Sequence, residues 1–210
     1  MSEPLPQGSP ALLLVRGQVE AVARWLGKGA TPAVVAGCPH GWVAVTPASG
    51  ASLAAPPYDD ASSTLLARPV PRRHRPAIGW RVVGPRLLVC VVPDAAAARP
   101  AWLAWESGEG LVSPGGLPAA SAAQLSQAAG ASRHVEEVRH ILRAPQGRAL
   151  DVAAELFEVL VLPGIEVLNG TQALIDRVGA QRVEPERQYV AAFERAARDR
   201  RSRREEREPR

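Results

Sequence analysis

The clearest structural signal in the chain is the run IGWRVVGPRLLVCVV, residues 78–92. Gly84-Pro85 divides this run into two β-rich halves, because glycine supplies the positive φ and proline the fixed negative φ of a type II′ turn. The run therefore predicts an antiparallel hairpin. Its second half, residues 87–92, is continuously apolar, which predicts a central strand that is covered on both faces.

The sequence before this hairpin predicts further strands and two helices. Residues 12–15 form an apolar run that predicts a strand, and the apolar residues that follow recur at helical spacing. The β-rich residues 34–36 and 42–46 flank a segment of turn formers and predict a second hairpin. Asp60 precedes an apolar pair and predicts the N-cap of a short helix that ends near residue 67.

The sequence after this hairpin changes from strand to helix patterning near Pro118. Residues 102–105 and 111–112 predict a third hairpin, and apolar residues recur at helical spacing beyond the Pro/Gly-rich segment that follows. We therefore predict an α+β fold: a mixed or antiparallel N-terminal sheet with two helices, then a small helical lobe and a charged helical tail. The predicted divisions are a disordered N-terminus at 1–10, an α+β sheet lobe at 11–118, a helical lobe at 119–183, and a charged helix with a disordered tail at 184–210.

The composition is typical of a folded domain rather than of a disordered or membrane protein. Hydrophobic residues make up 46% of the chain and charged residues 22%, so wholesale disorder is not expected. The N-terminus lacks the pattern of a signal peptide, and no stretch is apolar for about 18 residues. Two cysteines without CxxC spacing indicate neither a disulfide framework nor a structural zinc site. We therefore expect a cytoplasmic protein without a membrane partner.

The positive charge is concentrated at the C-terminus. The formal net charge is +4, and residues 191–210 contain eight arginines and five acidic residues. Lys28 is the only lysine among 25 basic residues, and alanine, glycine and proline are abundant. This composition is typical of a GC-rich genome, so the arginine content is weak evidence for phosphate recognition.

Two short motifs carry side chains that other proteins use in catalysis. Cys38-Pro39-His40 places a thiol near an imidazole in a loop. In this arrangement the thiol could act as a nucleophile and the imidazole as its base. Residues two apart in a loop need not face each other, however, and no nucleophile signature surrounds them. Asp59-Asp60 offers two carboxylates for a cation or for acid and base chemistry, yet helix capping explains them. We predict no catalytic residue.

The remaining motifs do not match known metal or cofactor sites. His134 and His140, with Glu136 and Glu137, lie on a predicted helix but lack the His-Glu-x-x-His order of zinc proteases. Residues 111–116 contain glycines without the Lys-Ser/Thr pair of a P-loop, and Gly-x-Ser-x-Gly is absent. We predict no metal and no cofactor.

The candidate binding residues lie in one proline-rich loop, residues 68–76. They are Arg68, Arg72, Arg73, His74 and Arg75. The prolines of the loop would hold these side chains at a fixed spacing, which suits a phosphate group or an acidic partner. The alternative interpretation is a solvated loop whose arginine content reflects codon usage.

Short strings in the sequence resemble uncharacterised proteins of high-GC Gram-positive bacteria. They are PYDD at residues 57–60, RPAIG at 75–79, and WLAWE at 102–106 with GLP at 116–118. The similarity spans roughly Ala11 to Tyr189. The resemblance implies a lineage and brings no activity with it.

Three functions fit these observations. The first is a non-catalytic binding or scaffold protein, with a protein as its partner. The second is a nucleic-acid-associated protein that uses the loop from Arg68 to Arg75 and the basic tail. The third is an enzyme with an unrecognised pocket, which a spatial cluster of Cys38, His40 and Asp59 or Asp60 would favour.

Overall fold

The computed structural model describes residues 11–96 and 99–205. In this part of the chain, the fold consists of an eight-stranded antiparallel sheet and seven α-helices, so the predicted α+β class is confirmed. The strands are β1 (Ala11–Arg16), β2 (Ala33–Gly37), β3 (Trp42–Pro47), β4 (Ala77–Val83), β5 (Arg86–Val92), β6 (Ala101–Glu106), β7 (Gly110–Val112) and β8 (Gln181–Val183). Their order across the sheet is β7-β6-β5-β4-β1-β3-β2-β8.

The hairpin predicted at residues 78–92 is formed by β4 and β5. Val83 lies opposite Arg86, and Gly84 adopts the predicted positive φ, 55°. Strand β5 lies between β4 and β6, with Val89 buried on one face and Cys90 on the other. Both predictions for this run are therefore confirmed, because an internal strand with two buried faces can be apolar throughout.

Helices cover both faces of the sheet. They are α1 (Val19–Leu26), α2 (Ala61–Leu66), α3 (Ala122–Ala129), α4 (Val135–Arg143), α5 (Ala149–Val159), α6 (Ile165–Leu168) and α7 (Arg187–Glu205). The first two pack on the face that buries Leu13, Val15 and Val45. Helices α3 to α6 pack on the opposite face, where the Trp80 and Phe157 rings lie 4.6 Å apart between centroids.

Local capping determines where two of these helices begin. The Asp60 side chain accepts a hydrogen bond of 2.6 Å from the Ser63 amide, which confirms the predicted cap of α2. Ser121 and Gln124 form a capping box at the start of α3, and Gly130 ends that helix with a φ of 79°. Such caps satisfy backbone groups that the helix itself leaves unpaired.

Strand β8 was not predicted from the sequence. Its three residues join the sheet edge beside β2, with Gln181 opposite Val35. Residues from the end of the predicted helical lobe thus form part of the N-terminal sheet. The division at Pro118 stays a prediction, although the helices beyond it share one apolar core with the strands before it.

Helix α7 contacts the body near its N-terminal end. The Glu186 amide donates a 2.9 Å hydrogen bond to the Gly27 carbonyl, and the Phe193 ring packs edge-on against Tyr58 at 5.3 Å. Arg198, Asp199 and Arg200 are exposed. The predicted disordered segments at residues 1–10 and 206–210 lie outside the described residues.

Among the described residues, no helix combines the length and apolar character that crossing a bilayer requires.

Candidate functional site

A cleft of about 640 Å³ separates the end of β1 and the β2–β3 turn from the ends of helices α3 and α5. We call it the Arg16 cleft. Its charged and polar walls carry Arg16, His40, Arg133 and His134. Ala131, Leu160 and Val161 add apolar surface. None of the described residues that line the cleft is acidic, so its lining is basic.

The pleat of β1 directs Arg16 into the cleft. Leu12 and Leu14 point to the face that α3 to α6 cover, and Arg16 follows them at the same two-residue period. Arg16 is the cross-strand partner of Trp42, and its guanidinium carbon lies 3.7 Å from the centroid of the Trp42 ring. The guanidinium also donates a hydrogen bond to the His40 carbonyl. Partial burial lowers the pKa of Arg16, but an arginine stays protonated at neutral pH.

The opposite wall is the connection between α3 and α4. The Arg133 side chain donates from Nε to His134 Nε2 at 2.8 Å. The other ring nitrogen of His134, Nδ1, lies 2.8 Å from the Glu137 carboxylate. These two contacts together fit a neutral imidazole that carries its proton on Nδ1 and accepts at Nε2. Glu137 therefore orients the His134 ring beside the cleft.

Two strained residues line this cleft. His40 has a φ of 59° and Val161 a φ of 52°, and no other non-glycine residue in the described part of the chain has a positive φ. Val161 follows α5 at the position where glycine usually ends a helix, since the Leu162 amide bonds back to the Phe157 carbonyl at 2.9 Å. A β-branched residue in this conformation is strained, and such strain is concentrated at functional sites.

The predicted thiol and imidazole of Cys38-Pro39-His40 are not brought together as a nucleophile and base. Cys38 Sγ accepts a 3.0 Å hydrogen bond from Arg177, and Arg177 is paired with Glu166. Burial raises the pKa of the Cys38 thiol despite the nearby Arg177 charge. A thiol with a raised pKa forms little of the reactive thiolate at neutral pH.

The carboxylates of Asp59-Asp60 also lie outside the cleft lining. Asp60 caps α2 and forms a 3.0 Å ion pair with Arg81. Burial acts to raise the pKa of Asp60, but hydrogen bonds from Ser63 and the charge of Arg81 outweigh it and lower the pKa below its usual value. Cys38 thus pairs with Arg177, and Asp60 pairs with Ser63 and Arg81, rather than with each other or with His40.

Two arginines of the predicted binding loop make structural contacts. Arg68 donates to the Trp25 and Leu26 carbonyls at the end of α1. Arg75 donates to the Val70 and Ala95 carbonyls, each at 2.9 Å. These side chains therefore hold backbone segments together, a role that the local sequence did not predict.

The histidine of the loop is buried and the other two arginines are exposed. His74 is 1% exposed, and its Nδ1 lies 3.1 Å from the Arg16 carbonyl. Burial lowers the pKa of His74, which favours the neutral ring. Arg72 and Arg73 lie on the exposed 3₁₀ turn Arg72–His74. The structure therefore distributes the five predicted residues among different environments, and their shared binding role stays a prediction.

The described residues contain no cluster of three or more histidine, cysteine or acidic side chains that would hold a metal ion. His134 belongs to the lining of the Arg16 cleft, whereas His140 is exposed on α4 and does not belong to that lining.

The sequence did not identify the Arg16 cleft because its residues come from separate segments. Arg16 ends an apolar strand, Trp42 begins another, and Arg133 follows the glycine that ends α3. The one available signal was an arginine at the end of an apolar run, next to Gly17. That signal places Arg16 at the end of a strand, but it does not identify the residues that face Arg16 across the cleft.

Neither a known protein family, nor a curated protein, nor a solved structure gives a significant match to this chain. The resemblance to proteins of high-GC Gram-positive bacteria therefore stays a prediction.

Proposed function

We propose that the protein is a non-catalytic binding protein that holds a small oxyanion, a phosphate or carboxylate group, in the Arg16 cleft. The observation that supports it best is the convergence of the Arg16 and Arg133 guanidiniums on one cleft whose described lining contains no acidic residue. Arginine binds carboxylates and phosphates through paired, charge-assisted hydrogen bonds. An anion in the cleft would also reduce the repulsion between Arg16 and Arg133.

The hydrogen bonds of the cleft favour binding over catalysis. Both ring nitrogens of His134 have partners, Glu137 and Arg133, so neither is free to take a proton from a substrate in this arrangement. Cys38 is held by Arg177 away from the cleft lining. The strained backbone at Val161 then serves to shape the apolar wall of a binding site.

The experiment is an anion titration by calorimetry at low ionic strength. Phenyl phosphate, inorganic phosphate and acetate are each titrated into the wild type and into Arg133→Gln. Arg133 is chosen because it is exposed and its loss should not disturb the core. A hydrogen bond to a charged group contributes about 1.5–3 kcal/mol, so the Arg133→Gln dissociation constant should rise at least about tenfold. Arg86→Gln is the matched control, because Arg86 is an exposed arginine paired with Glu106 on β6.

Three results would decide against the proposal. Absence of binding to all three anions at millimolar concentration would remove the site, and equal affinity of Arg133→Gln and wild type would place it elsewhere. Hydrolysis of p-nitrophenyl phosphate that requires His134 would favour the enzyme hypothesis instead.

A second candidate function is nucleic-acid association through α7. Between Arg187 and Glu205 this helix carries seven arginines and three acidic residues, and Arg198 and Arg200 are exposed. The loop would add Arg72 and Arg73, since Arg68 and Arg75 are engaged with backbone carbonyls. Binding to a duplex that weakens steeply with salt would support this function. The predicted protein partner stays a prediction.

A further inference from the structure

A second pocket lies beneath α7, on the face of the sheet opposite the Arg16 cleft. We call it the Arg68 pocket. Its volume is about 410 Å³, within the roughly 300–1,000 Å³ that small-molecule sites occupy. Three aromatic residues from separate segments line it: Trp25 of α1, Tyr58 of the loop before α2, and Phe193 of α7. The edge-on contact between Tyr58 and Phe193 closes one side.

The wall of this pocket contains a largely buried guanidinium without a carboxylate partner. Arg68 donates to the Trp25 and Leu26 carbonyls, and its guanidinium carbon lies 4.7 Å from the centroid of the Trp25 ring. Among the described residues, no carboxylate forms a salt bridge with Arg68. Burial lowers the pKa of Arg68 to about 10. Buried charges are usually paired with an opposite charge. Here the carbonyls at the end of α1 compensate only part of the Arg68 charge.

The other charged residues of the pocket increase this imbalance. Lys28 and Arg200 also line it, and none of its described lining residues is acidic. Gly29 makes room for the Arg68 side chain, because a Cβ at that position would lie 1.7 Å from Arg68 Nη1. The pocket therefore combines aromatic walls with a fixed, unpaired positive charge.

We propose that the Arg68 pocket binds a small amphipathic anion, with an aromatic body among Trp25, Tyr58 and Phe193 and one carboxylate, sulfonate or phosphate group against Arg68. The anionic group supplies the charge that Arg68 lacks, and the aromatic body removes the three rings from water. This site is independent of the Arg16 cleft, because the two share no lining residue.

The test uses two fluorescent probes that differ in one group. 1-Anilinonaphthalene-8-sulfonate carries the aromatic body and the anion, whereas N-phenyl-1-naphthylamine carries the body alone. The full-length wild type should bind the sulfonate with a stoichiometry of one. In Arg68→Gln the sulfonate should bind at least about tenfold more weakly, as expected for loss of a charge-assisted hydrogen bond, while the affinity for the uncharged probe stays the same.

Two matched variants control for charge and for folding. Arg72→Gln removes an exposed arginine four residues away and should leave sulfonate binding unchanged. Ala67→Phe leaves Arg68 in place but fills the pocket from the exposed end of α2, so it should weaken both probes. Circular dichroism establishes that each variant is folded. The proposal is overturned if Arg68→Gln and wild type bind the sulfonate equally, if Arg72→Gln loses as much affinity as Arg68→Gln, or if folded Ala67→Phe binds both probes unchanged.

Discussion

Replacing Phe157 with alanine tests whether the helices after Pro118 and the sheet before it fold as one unit. Phe157 lies on α5, is 2% exposed, and packs at 4.6 Å against Trp80 of β4. A buried Phe→Ala change costs about 3–5 kcal/mol through lost burial and the cavity that remains. For a chain of this size about 1 kcal/mol lowers the Tm by 2–4 °C, so we expect a fall of about 10 °C.

The chain provides its own control for this change. Its only other phenylalanine is Phe193, which is half-buried on α7 and contacts Tyr58. Because that contact is a single aromatic pair at the surface, Phe193→Ala should cost about 1 kcal/mol. The same chemical change thus separates core packing from surface packing.

Thermal unfolding is followed by tryptophan fluorescence and by far-ultraviolet circular dichroism. Trp42, Trp80, Trp102 and Trp105 lie in strands, so fluorescence reports mainly on the sheet and circular dichroism mainly on the helices. The two transitions should coincide in wild type and shift together in Phe157→Ala. A cost below about 1 kcal/mol, or a shift of the helical transition alone, would refute the shared core, since α5 would then unfold without the sheet.

Four further predictions follow from individual contacts. Val161→Gly should be more stable than Val161→Ala by about 1 kcal/mol in urea unfolding, because glycine accepts a positive φ; the reverse order would show that Val161 is unstrained. Asp60→Asn keeps a capping side chain at α2 but removes the charge that pairs with Arg81, so it should destabilise by about 0.5–1 kcal/mol at pH 7. The pKa of Asp60 is lower in the folded protein than in the unfolded chain. The stability difference between wild type and Asp60→Asn should therefore be complete above the unfolded pKa and vanish as the pH falls through the folded pKa. A stability difference that stays constant down to pH 2 would contradict this prediction. Cys90, whose pKa burial raises to about 12, should react with iodoacetamide at pH 8 far more slowly in the native protein than in urea, and equal rates would contradict its burial. Deletion of residues 198–210 should change the free energy of unfolding by less than about 0.5 kcal/mol and lower heparin retention, whereas a marked fall in Tm would show that the end of α7 packs on the body.

The sequence predicted those parts of the fold that depend on neighbouring residues. The β4–β5 hairpin follows from Gly84-Pro85 and the apolar runs beside it, and the start of α2 follows from Asp60. Strand β8 could not be predicted in the same way. It has three residues, and it is a strand because Gln181 meets Val35 at the sheet edge, a contact between positions far apart in the chain.

The same reasoning explains why the candidate site escaped prediction. The Arg16 cleft joins the end of β1, the β2–β3 turn, the α3–α4 connection and the end of α5. These four segments are far apart in the sequence, so a local pattern can contain only one of them. Its strained residue Val161 follows a helix where glycine is usual, but the sequence alone does not show that the helix ends there.

The proline-rich loop shows how similar residues acquire different roles. Arg68 and Arg72 belong to the same loop and the same residue type. Arg68 donates to the carbonyls of Leu26 and Trp25 at the end of α1, which lie 42 and 43 positions earlier in the chain. Arg72, in contrast, is exposed. Arginine content therefore overstates the charge that this loop presents to a partner. Arginine content also gives no sign that one of these charges, on Arg68, lies inside the protein without an opposite charge among the described residues. A binding function that depends on charge is accordingly better tested at Arg133 and Arg68, which line cavities, than at Arg72 and Arg73, whose charge faces solvent.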